Sequence, residues 1–222
     1  MKIKDLLWIS IILIFGLSII IPQSREVFVL LTENHPYIMG FTKTAILATM
    51  GELLVLRIIT GEYFGHTGIF LKFIVWGFLG MAFVLVFPIF GGGVTYAQSK
   101  YLLPSINNEL MIGKIFNAFL ISTFMNLIFA PTFMLLHRVT DTFIELGNGN
   151  IMHLLKVKID DVISAINFKR FIKFTIIKTI PLFWIPAHTI TFLLEDTYRV
   201  LMAAFLSIIL GVILTFSKRK QA

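Results

Sequence analysis

Apolar residues run along this chain in six long stretches, at about 6–21, 38–60, 69–90, 115–136, 171–194 and 199–216, with mostly short polar connections between them. Each comes close to the roughly 20 residues a helix needs to cross a hydrocarbon core of about 30 Å, the first and last being marginal. His35-Pro36 precedes the second stretch, Pro88 and Gly91-Gly92-Gly93 close the third, and Ser217-Lys218-Arg219-Lys220 closes the sixth. The pattern predicts an all-α, polytopic membrane helix bundle of about six transmembrane helices. It forms a single integral domain over residues 1–222, with no internal repeat. The one long polar connection is Arg138 to Arg170. There Gly147-Asn148-Gly149-Asn150 signals a turn. Residues 151–168 mix Ile, Leu and Val with Lys156, Lys158, Asp160 and Asp161, which predicts an amphipathic helix lying in the interface.

Composition agrees with the pattern. The chain is 57% hydrophobic and 14% charged, with mean hydropathy +0.90. An average soluble domain is roughly 45–50% apolar and about 25% charged. An ordinary soluble enzyme is thereby excluded, and so is intrinsic disorder, which needs low hydrophobicity. There is no cysteine, so disulfides and thiolate metal sites are impossible. The net charge of +7 sits at the ends of apolar runs, which suits the anionic face of a lipid bilayer and not nucleic acid. One side of the six-span topology collects Lys2, Lys4, Lys72, Arg138, Lys156, Lys158, Lys169, Arg170, Lys173, Lys218, Arg219 and Lys220; the other holds Arg25, Lys100, Lys114 and Arg199. The first side is expected to be cytoplasmic, with both termini on it. Ile21-Pro22-Gln23-Ser24-Arg25 offers no small-x-small cleavage pattern, so the first stretch is expected to remain as a helix.

Charges and amides inside the apolar runs need a reason, because a charge at mid-depth costs about 2.5–3.5 kcal/mol on insertion scales. Lys43 and Arg57 lie toward opposite ends of the second stretch and can each snorkel to the nearer interface. Glu52 is central and too short to snorkel. It lies about 180° from Lys43 and about 140° from Arg57 around a helix, so neither shares its face. Matched depth nominates Lys178 on the fifth helix as its partner. Asn126 is at mid-depth beside Ser122 and Thr123. Glu52, Asn126, Lys178 and His188 form the expected lining of a polar cavity or pore. Ala203, Ser207 and Gly211 recur every fourth residue, the small-residue pattern of close helix packing within a chain or between copies. Pro88, Pro131, Pro181 and Pro186 are expected to kink their helices.

Catalytic signatures are missing. The sequence has no HExxH, no G-x-S-x-G, no P-loop and no dinucleotide fingerprint. Glu52, His137 and His188 imitate an intramembrane metalloprotease only loosely, since no second carboxylate adjoins Glu52. The chain is expected not to be an enzyme and to carry no cofactor and no metal.

Trp184-Ile185-Pro186-Ala187-His188-Thr189-Ile190-Thr191-Phe192, followed by Tyr198-Arg199, resembles the signature of the Mpv-seventeen/peroxisomal-membrane-protein-of-twenty-two-kilodaltons family. That signature reads W-x-P-x-Q-x-x-N-F and then Y-R. His35-Pro36 and Gly51-Glu52 are similar to the family's H-P start and the G-D of its next helix. Here His188 stands for the Gln, Thr191 for the Asn and Glu52 for the Asp. The resemblance runs from His35 to the C-terminus. It implies a small multi-pass protein forming a channel or transporter-like pathway for small solutes or metabolites. The alternative is a non-conducting scaffold that gathers partners, or copies of itself, through the small-residue face. The Cys-free, Ile-, Phe- and Lys-rich composition points to a bacterial inner membrane, or to an organellar membrane in a eukaryote.

Overall fold

A computed structural model describes residues 3–63, 65 and 68–219. All regular structure among them is helical. In chain order the elements are α1 (Ile3–Ile20), α2 (Pro22–Asn34), α3 (Pro36–Thr60), α4 (Ile69–Ser99), α5 (Met111–Ile128) and α6 (Ala130–Leu146). Three short helices follow: α7 (Ile151–Leu154), α8 (Ile159–Ala165) and α9 (Phe168–Arg170). The chain ends with a π-helical segment (Phe171–Trp184), α10 (Ile185–Phe192) and α11 (Asp196–Arg219). Among the described residues five helices are long and apolar enough to cross a membrane: α1, α3, α4, α5 and the Asp196–Ile213 part of α11.

Three predicted stretches differ in detail. The fourth is cut at Phe129, just before Pro131, so 115–136 is shared between α5 and α6. The fifth is one unbroken helical run from Phe168 to Phe192, but its first half is a wide π helix containing Pro181, with Pro186 in the first turn of α10. Proline lacks the amide proton that the α ladder needs, and a wider turn accommodates the gap. The third continues to Ser99, and Pro88 does not interrupt it. Segment 151–168 is not one interfacial helix. It breaks at Lys156–Lys158, where Asp160 and Asp161 favour a fresh helix N-terminus. Val162 on α8 is then buried beneath α6. The predicted turn before it forms, with Asn148 and Gly149 left-handed and the Asn150 side chain accepting from the Met152 and His153 amides.

The main hydrophobic core joins α4, α5, α6, α10 and α11 around Phe83, Phe87, Met125, Phe133 and Phe192, and beside it lies the seam where α3 packs closely between α4 and α11. Gly40 and Gly80 mark the α3–α4 crossing: a Cβ on Gly80 would collide with the Gly40 carbonyl and with Thr44. At the α3–α11 contact, a Cβ on Gly51 would lie 3.2 Å from the Ile208 Cα and one on Gly211 would lie 3.0 Å from Val55. Between membrane helices such close backbone approach supplies the attraction, because lipid is as apolar as the side chains. Gly80→Val is therefore expected to destabilise the protein by about 1–3 kcal/mol through overpacking. Gly91→Val, which meets nothing within 4 Å, should change little. Unfolding midpoints in detergent micelles would separate the two, and equal midpoints would contradict the close crossing.

Candidate functional site

One face of α3 repeats Thr44, Ala48, Gly51, Glu52, Val55, Leu56, Ile59 and Thr60 at helical spacing, and that face walls a cavity of about 710 Å³. Ala203, Ser207 and Gly211 of α11 form the facing wall. The small-residue stripe therefore looks at α3 and the cavity. The remaining wall comes from Lys72, Trp76 and Phe83 of α4, Phe133 and His137 of α6, and Trp184 and His188 around the π-to-α junction. The cavity reaches the exposed Thr60, Glu62 and Gly65 of the α3–α4 connection.

Near that mouth the charges form one cluster. Trp76 Nε1 donates to Glu52 Oε1 at 2.6 Å. The Lys72 ammonium lies 3.2 Å from Glu52, 3.8 Å from Asp141 and 4.0 Å from Glu145. His137 Nδ1 is 3.7 Å from Asp141 one helical turn along α6. Glu52, His137 and Asp141 offer ligand atoms within 4.8 Å of one another, so these are the residues that could hold a metal. Lys72 already supplies a cation to the two carboxylates, and an ion entering the cluster must displace it.

Deeper in, Thr44, Trp184 and His188 belong to the wall, while their Oγ1, Nε1 and Nε2 atoms are buried without a hydrogen-bond partner. The Trp184 and His188 rings stack at 5.1 Å. His188 Nδ1 meets the Asn126 amide at 3.1–3.2 Å, and Ser122 donates to the Ile185 carbonyl at 2.7 Å.

The residues nominated from sequence are thus divided. Glu52 and His188 stand on the cavity wall. Asn126 is wholly buried behind it, orienting His188. Lys178 is exposed on the outer side of the π segment, away from the cavity wall and from Glu52. The depth match named the wrong cation: Glu52 takes Lys72 of α4, at 3.2 Å. Lys72 has four methylenes and starts one turn nearer the mouth than Trp76, so it reaches the depth of Glu52. A cation four residues before an indole donor, on the helix that follows Glu52, was the available signal. Arg57 pairs with Asp5 of α1 at 2.9 Å, whereas Lys43, expected to reach an interface, is buried at 1% exposure.

A second cavity, of about 210 Å³, opens at the opposite end of the seam. It reaches the exposed Glu33, Pro36 and Asp196, and its inner wall carries Gly40, Lys43, Phe83, Phe87 and Val200. Phe83 is the residue common to both cavities. The family-like motif is divided: Gly51, Glu52, Trp184 and His188 line the large cavity, while Pro36 and Arg199 line this one. Arg199 donates to the Leu194 carbonyl at 3.1 Å, sits 5.3 Å from the Phe192 ring and pairs with Asp196 at 2.6 Å. Tyr198 stacks on Phe28 of α2, and His35 caps the start of α3. No family model, curated protein or solved structure matches the chain.

Proposed function

We propose that this protein provides a pathway for small solutes across a membrane, along the seam of α3, α4 and α11. The observation that carries the reading is Phe83: two cavities entering from opposite ends of the same seam meet at one aromatic side chain. A conducting route needs polar groups along a wet path and a constriction that sets selectivity. Glu52, Lys72 and His137 supply polar groups to the wall on one side of the constriction. The run from Phe168 to Phe192 serves as the sixth crossing, its two parts being too short singly. Lys and Arg placement orients the large cavity toward the cytoplasm. The Mpv-seventeen-like residues between Trp184 and Arg199 support the same functional class.

The chain contains no cysteine, so a single introduced thiol reports alone. Ser207→Cys is expected to react with a membrane-impermeant thiol reagent only from the side of the α3–α4 connection. Thr197→Cys is expected to react only from the opposite side. Labelling of both from one side, or of neither, would refute the two-entrance pathway.

A further inference from the structure

We infer that the solute carried is an anion and that Lys43 selects it; this rests on the pathway reading above. Lys43 is 1% exposed, and its Nζ donates to Thr32 Oγ1 at 2.8 Å and to the Thr197 carbonyl at 3.4 Å. The Phe28 ring lies 4.3 Å away. All three contacts are neutral. Among the described residues no carboxylate lies within 4.0 Å of this ammonium.

The other cations beside the pathway are compensated. Arg199 pairs with Asp196, Lys72 with Glu52 and Arg57 with Asp5. Lys43 and Phe83 line the same small cavity, the narrower of the two, and the Lys43 ammonium is held on its α2 and α11 side. Glu33 on the same cavity is exposed at the rim, where water and salt screen it. Glu52, Asp141 and Glu145 gather around Lys72, with Glu52 beside Trp76, about 10 Å along α4 from Phe83. A charge acts most strongly where the path is narrowest and driest. An ammonium held there by neutral groups lowers the energy of a passing anion and raises that of a cation.

The test is current through the purified full-length protein in planar bilayers under a potassium chloride gradient. Wild type is expected to reverse toward the chloride equilibrium potential. Lys43→Gln should lower the chloride-to-potassium permeability ratio by about tenfold, and Lys43→Arg should retain it. Reversal toward the potassium potential in wild type would overturn the inference whatever the variants do. An unchanged ratio in folded Lys43→Gln would overturn the role of Lys43. Current without ion preference overturns the anion assignment alone, whereas no current from folded protein overturns the pathway and the assignment together.

Discussion

Replacing Phe83 by alanine is expected to turn a closed or slow pathway into a leak, seen as faster release of a small polar dye from liposomes. The Phe83 ring stacks with Phe87 at 5.4 Å and leans on Phe133 at 4.7 Å. These aromatic rings separate the cavity of about 210 Å³ from the one of about 710 Å³. Truncating the ring common to both cavities would join the two spaces. Lowering the crossing barrier by about 1.4 kcal/mol is enough for a tenfold rise in rate. A core Phe→Ala change also costs about 3–5 kcal/mol of stability. Phe83→Leu keeps most of the volume, so it should fold well and leak to an intermediate degree. Liposomes that stay tight with folded Phe83→Ala would remove Phe83 as the barrier.

Apolar run length exposed the membrane helices, because a bilayer imposes a length that is visible in one dimension. Run length alone could not reveal the break at Phe129, the end of α4 at Ser99 or the π geometry before Trp184. Helix continuation depends on which carbonyls find partners in the fold, and composition does not record that. Glu52 was legible as a costly residue, since mid-depth charge is expensive anywhere in lipid. Its partner was not. Depth is a one-dimensional property, whereas pairing also depends on rotation about each axis. The reach of Lys72 places its charge well beyond its own backbone position. The Gly40–Gly80 crossing was only half legible: Gly40, Thr44 and Ala48 recur every fourth residue, but Gly80 stands between Trp76 and Val84, and only the approach of the two helices makes it indispensable. His188 was legible as a polar residue in an apolar run, but not as one held by Asn126 beneath a cavity wall.

Lys72→Met should destabilise the protein more than any other single change at the large cavity. The ammonium is almost fully buried and holds Glu52, Asp141 and Glu145 together within 4.0 Å. Its loss leaves three carboxylates facing one another, with only the Trp76 indole still serving Glu52. Removing one partner of a buried pair costs about 3–5 kcal/mol. Glu145 is half exposed and Glu52 borders the cavity, so about 2–4 kcal/mol is the expected loss here. Adding Glu52→Gln to Lys72→Met should recover part of it, a coupling of about 1–3 kcal/mol in a double-mutant cycle. Unfolding in mixed micelles would measure both. The same variant probes what Lys72 stands in for. With the ammonium gone, Glu52, His137 and Asp141 retain ligand atoms within 4.8 Å of one another. Zinc should then raise the unfolding midpoint of Lys72→Met while leaving wild type unmoved, because only the variant can bind the ion without first displacing a cation. A midpoint for Lys72→Met equal to that of wild type would show that the cluster does not hold this end of the bundle together. A zinc response in wild type would show instead that Lys72 yields its place readily.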